Sequence, residues 1–173
     1  TSIWLDDAPI TDAGLAHLKD LKDLATLTLS RTQITDEGMV HVAELGKLRF
    51  LSLGGTGVTA VGLAQLKKLG NLSSLFLHET PQIADDAMDI VKDLRGLKSL
   101  ALGGTGITDV GFAKLADMSQ LEDLHLDNTQ ITDASLLQVG KLQNLRMLGL
   151  FRANITDEGL MHLRGMKNLR SLS

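Results

Sequence analysis

The chain has no cysteine among its 173 residues, which excludes a disulfide framework, a zinc–thiolate centre and a cysteine nucleophile together. That absence fits the cytoplasm slightly better than export and fixes neither compartment. Aromatic residues are scarce, at 3 %, and Trp4 is the single tryptophan. No apolar run approaches the roughly 20 residues that cross a bilayer, so no membrane partner is expected. Charge of one sign is also lacking. A net charge of −4 offers no basic field for a nucleic acid. No linker or low-complexity stretch interrupts the chain.

What is present is a repeat. The triplet Ile-Thr-Asp begins at Ile10, Ile34, Ile107, Ile131 and Ile155, with looser copies at Val58 and Ile83. Successive starts lie 24, 24, 25, 24, 24 and 24 residues apart. A fixed period in this range marks a solenoid, whose units bury their apolar sides only by stacking on one another. Within the unit from Ile34, Thr35 has the hydroxyl to cap a helix start, and Asp36 and Glu37 complement its dipole. Met39, Val42 and Leu45 recur as one helical face, and Gly46-Lys47 suit a helix end. Leu51 and Leu53 alternate as a half-buried strand does. Each repeat therefore predicts a short strand, a turn, a short helix and a return. Helices are wider than strands, so the stack is expected to curve with its parallel sheet on the inside.

The run Leu24-Ala25-Thr26-Leu27-Thr28-Leu29-Ser30-Arg31-Thr32-Gln33-Ile34 resembles the leucine-rich repeat signature. The ITDxGL segment is similar to the cysteine-containing subclass known from F-box leucine-rich-repeat proteins, and to the 24-residue repeats of bacterial, especially planctomycete, proteins. The position usually held by Asn or Cys is Thr at Thr32, Thr56, Thr80, Thr105 and Thr129, and Ala at Ala8 and Ala153. A Thr hydroxyl can satisfy backbone groups in the turn. The resemblance implies an α/β right-handed leucine-rich-repeat solenoid. Its parallel sheet would be concave and its short helices convex. The array would be the recognition part of a larger protein.

Residues 1–173 read as one such domain, with about six full repeats and truncated ends. Ile3 and Leu5 align with Leu27 and Leu29, so the chain opens inside a strand. Leu169 and Leu172 align with Leu24 and Leu27, so it stops inside another. Solenoids normally end in polar caps. The expectation is that residues are missing on both sides, or that the open ends stack on another copy as a homo-oligomer. Pro81 accounts for the single 25-residue step and predicts a small bulge after the fourth strand.

Strand positions between buried leucines point to the open face. One column reads Trp4, Thr28, Ser52, Phe76, Ala101, His125 and Gly149. Two residues on, it reads Asp6, Ser30, Gly54, His78, Gly103, Asp127 and Phe151. The Gly54-Gly55 and Gly103-Gly104 repeats are nearly bare and flank the one carrying Phe76, His78 and Glu79. That ridge between smooth strips is one candidate grip for a protein or peptide. A second is the cluster of His125, Asp127, Asn128, Phe151 and Arg152. Exposed aromatics and Arg are the types enriched at binding hot spots, and with Phe50 these residues form the expected partner-binding set. The bland alternative is that the glycines serve tight turns and the aromatics are ordinary surface residues.

No catalytic residue, metal ligand or cofactor site is expected. His78 and His125 stand two strands apart, about 10 Å along the stack, too far to share a metal without further ligands. The Gly-rich turns lack the Lys-Ser/Thr ending of a phosphate loop. Asp12, Asp36, Asp109, Asp133 and Asp157 are each expected to serve their own helix N-terminus rather than bind calcium. The recurrent glycine of the first helical turn is expected to let neighbouring helices approach. The function read from these features is a non-enzymatic interaction module binding through the concave sheet. The competing readings are an array that stacks through its ends, and small-ligand binding or catalysis near His78 and Glu79.

Overall fold

The computed structural model describes residues 1–173 throughout. Eight short strands form one sheet: β1 (Ser2–Trp4), β2 (Thr26–Thr28), β3 (Phe50–Ser52), β4 (Ser74–Phe76), β5 (Ser99–Ala101), β6 (Asp123–His125), β7 (Met147–Gly149) and β8 (Ser171–Leu172). They lie in sequence order and every pair is parallel. The register matches the columns read from the sequence, with Ser52 opposite Phe76, Phe76 opposite Ala101 and Ala101 opposite His125. Helices on the other side are a turn or two long: α1 (Asp12–Leu15), α2 (Met39–Val42), α3 (Ala60–Leu63), α4 (Met88–Val91), α5 (Asp109–Ala113), α6 (Asp133–Val139) and α7 (Asp157–Leu160). The second helix stops at Val42, so Gly46 stands in the following turn rather than at a helix end. No helix is long and apolar enough to cross a membrane.

A single core of 41 buried residues runs between sheet and helices. Leu27, Leu51, Leu75, Leu100, Leu124 and Leu148 form its sheet-side row, each with no exposure. Full burial of such a side chain stabilises by about 1.5–3 kcal/mol. At the turn after each of β2 to β6, the buried Thr hydroxyl closes its own loop. Thr32 donates to the Leu29 carbonyl, Thr56 to Leu53, Thr105 to Leu102 and Thr129 to Leu126, at 2.6–2.7 Å. Thr80 does the same to Leu77.

The ITD aspartates hold repeats together. Asp12, Asp109, Asp133 and Asp157 sit in the first turn of their own helices as expected, whereas Asp36 lies in the turn before α2; the carboxylates of Asp12, Asp36, Asp109 and Asp133 reach the next repeat, which corrects the local reading. Asp12 accepts from the Thr35 N–H and hydroxyl at 2.9 and 2.7 Å. Asp36 does so from Thr59, Asp85 from Thr108, Asp109 from Thr132 and Asp133 from Thr156. Thr59, Thr108, Thr132 and Thr156 meanwhile cap their helices by accepting from the N–H two residues on. The first-turn glycine makes room for that carboxylate rather than for a neighbouring helix. A Cβ on Gly38, Gly62, Gly111 or Gly159 would collide with Asp12, Asp36, Asp85 or Asp133 respectively.

One junction lacks the link. Where the third repeat meets the fourth, the three positions are Ala60, Ala84 and Ala87 instead of Asp, Thr and Gly. Pro81 lies in the turn after β4, where the step between repeats lengthens to 25 residues. Gln82 compensates: its side-chain amide donates to the Thr56 and Val58 carbonyls at 2.7 and 3.1 Å. Elsewhere a backbone N–H makes the equivalent contact, as Gly57 does to Ile34.

Candidate functional site: a groove across the sheet

The open face of the sheet is shaped by which way its side chains lean. His78 lies over Gly54, occupying the space a Cβ there would need. Gly54 is consequently buried, and the strip that looked bare in the sequence is filled. On the other side, His125 Nδ1 and Asp127 Oδ2 sit 2.9 and 2.6 Å from where a Cβ on Gly149 would stand. Each histidine therefore leans away from the strip between them. What remains is a groove of about 450 Å³, open above, with Ala101, Gly103 and Gly104 as its floor. Phe76, His78 and Glu79 form one wall, and His125, Asp127 and Asn128 the other.

Six of the nine residues singled out from the sequence thus meet in one place. Phe50 stands behind the first wall, its ring edge-on to Phe76 at 4.9 Å between centroids, which holds Phe76 upright. Phe151 and Arg152 lie outside the groove. Phe151 is 61 % exposed, with the Arg152 guanidinium 5.1 Å over its ring. The floor was not recognised as the centre of the site, although its signal, Gly103-Gly104, stood in the sequence.

Backbone geometry fixes the rim. Asp7, Arg31, Gly55, Glu79, Gly104, Asn128 and Arg152 form one column, and all have positive φ, between 53° and 70°. Glycine suits that conformation and Asn tolerates it, whereas Glu and Arg are strained there. The N–H of each residue in this column from Asp7 to Asn128 continues the ladder: Glu79 donates to the Gly103 carbonyl and Gly104 to the Asp127 carbonyl, both at 2.8 Å.

The groove is lined by two carboxylates, Glu79 and Asp127, and its three repeats put no Lys or Arg on the open face. The face's two arginines are engaged elsewhere: Arg31 pairs with Asp7 through two bonds of 2.6 and 2.7 Å, and Arg152 covers Phe151. That pairing holds the Asp7 carboxyl below its ordinary range. Asp127 accepts from the Phe151 N–H at 2.8 Å, and its other oxygen is 3.7 Å from His125 Nδ1. No three His, Asp or Glu side chains converge in a way that could hold a metal ion. A second crevice, at the sheet edge between Lys98, Gln120, Glu122 and Arg146, has its two cations partly neutralised by Glu122, which lies 2.8 and 3.5 Å from them.

A leucine-rich repeat family model matches residues 22–43 and 95–116. No curated protein sequence matches the chain. Among solved structures, the chain is similar to an internalin from Listeria monocytogenes, with a TM-score of 0.81 and 31 % identity. The match covers 99 % of this chain and 47 % of the internalin chain, so the protein spans about half the length of that relative.

Proposed function

We propose that this chain, a leucine-rich repeat protein, binds a segment of a partner protein in the groove over Gly103 and Gly104. The observation that carries the reading is the groove itself: two bulky, chemically mixed walls around a floor of three small residues. The floor is rigid, because each strand is bonded to both neighbours and its leucines are fully buried. Little ordering cost therefore falls on the array when a partner docks. Phe76, braced by Phe50, supplies the apolar anchor, and His78, Glu79, His125, Asp127 and Asn128 supply polar contacts. Phe151 and Arg152 extend the surface beyond the second wall. The open shape favours a protein segment over a small ligand, which needs enclosure. It also disfavours catalysis, which needs convergent titratable groups shielded from water.

The test is affinity capture from source-organism lysate with the wild-type chain and an Ala101→Trp variant. The same strand column carries Phe76 and Trp4 in other repeats, so the fold accommodates a large side chain there, and circular dichroism checks it. A protein retained by the wild type and lost by the variant supports the groove. Equal retention by both places binding elsewhere and overturns it.

A further inference from the structure

Three backbone donors of the groove, the N–H groups of His78, Gly103 and Asp127, have no partner in the protein, and the array shows what such a donor can take. The Ser30 N–H donates to the carboxylate of Asp6, one repeat back, at 2.7 Å. The Phe151 N–H donates in the same way to Asp127 at 2.8 Å. Gly103 occupies the equivalent position, and the residue one repeat back is His78. Because His78 lies over Gly54, it leaves the Gly103 N–H without a partner in the protein. That donor calls for an oxygen acceptor from outside. Glu79 and Asp127 stand on the walls to either side of it, with no Lys or Arg on the open face of the same three repeats. An incoming carboxylate would meet two like charges, whereas a neutral carbonyl attached to a cation meets complementary ones.

Resting on the binding reading above, we propose that the groove's occupant is a short extended peptide segment that places a backbone carbonyl on the Gly103 N–H and a Lys or Arg side chain against Glu79 or Asp127. The segment lies along the strand direction, across the sheet. From Ala101 to Gly104 the floor is about 10 Å long at roughly 3.3 Å per residue, room for about three extended residues. β5 is paired on both sides, so the segment adds no strand to the sheet. Recognition falls to the free Gly103 N–H, the Phe76 ring and the two carboxylates.

The probe is a displayed library of random heptapeptides, selected on the wild-type chain and counter-selected on Ala101→Trp. Enrichment of groove-dependent peptides with a shared Lys or Arg is expected. For a synthetic copy of the best peptide, Glu79→Gln and Asp127→Asn are each expected to weaken binding about fivefold, the upper range for a partly exposed ion pair. Binding should also shift the Gly103 amide proton downfield in NMR spectra. Groove-dependent peptides without basic enrichment, or with affinities untouched by both substitutions, would overturn the cation assignment while leaving the groove in place. Failure to enrich any peptide that Ala101→Trp excludes would count against the groove reading as well.

Discussion

The carboxylate of Asp85 fills the space that a Cβ on Gly111 would need, and Thr108 holds it there through its N–H and hydroxyl at 2.8 and 2.7 Å. The glycine is therefore required by a residue of the previous repeat. Gly111→Ala must displace either that carboxylate or the Asp85 backbone, and overpacking of this kind costs about 1–3 kcal/mol. Gly14→Ala is the control. Its Cβ would meet only the Ile10 methyl at 3.2 Å, and the gain in helix propensity offsets that contact. Urea denaturation of the two variants should show a clear loss for the first and little change for the second. Equal losses would mean that the glycines matter for helix packing alone.

The same carboxylates make the array acid-sensitive. Burial pushes the Asp109 carboxyl up, but hydrogen bonds from Ser135 and Thr132 outweigh it and leave it below the ordinary value of 3.8. Asp133 is lowered chiefly by the Thr156 hydroxyl and N–H. A carboxylate with a depressed folded-state value contributes stability that is fully present above its unfolded value. That contribution is lost as pH falls through the folded value, so the urea midpoint should hold above about pH 5 and decline below about pH 4. Asp109→Asn keeps one acceptor oxygen and has no proton to take up. It should lower the neutral-pH midpoint and make the acid decline shallower. An unchanged acid limb in the variant would remove Asp109 from the account.

The strands, their register and the open-face columns were legible because period and alternation are properties of one dimension, and stacking translates them directly. The aspartate links were not, since Asp85 and Thr108 are distant in sequence and Asp85 reads locally as a helix-start residue. A signal existed: Ala60, Ala84 and Ala87 depart from Asp, Thr and Gly together, as members of one linked set would. Of the site, the ridges of Phe76, His78 and Glu79 and of His125 and Asp127 were legible as bulky residues beside glycines. Their assignment to a single groove was not. It depends on rotamers, because only the leaning of His78 over Gly54 and of His125 and Asp127 over Gly149 leaves the Gly103 strip clear.

Glu79 tests whether the rim is held for binding. It adopts φ 57°, where the neighbouring repeats have Gly55 and Gly104. Releasing a left-handed strain of about 1–2 kcal/mol, less about 0.5–1 kcal/mol for glycine's greater freedom when unfolded, gives Glu79→Gly a net gain of up to about 1.5 kcal/mol. The same change removes a carboxylate from the groove wall. Thermal melting and partner affinity should therefore move in opposite directions, with a higher Tm and weaker binding. A higher Tm with undiminished affinity would show that Glu79 is not part of the contact.

The junction between the third and fourth repeats offers the sharpest test of the linkage. Introducing Ala60→Asp alone would drive a carboxylate against the Ala87 methyl, in a repeat whose Ala84 has no hydroxyl to receive it. It should destabilise. Adding Ala84→Thr and Ala87→Gly supplies the cap donors and the space. Such charge-assisted bonds are worth about 1.5–3 kcal/mol each when formed in full, and solvent screening at a partly exposed site reduces that to about 1 kcal/mol for the set. The triple variant should thus exceed the wild type in stability although the first single variant falls below it, a non-additivity that only residues in direct contact produce. Native-state hydrogen exchange at Gly106 and Gly57, on either side of the junction, would then report whether the two blocks open together. If the triple variant is no more stable than Ala60→Asp alone, the longer turn at Pro81 has moved the fourth repeat out of reach, and Gln82, through its bonds to Thr56 and Val58, is what holds the halves of the solenoid in register.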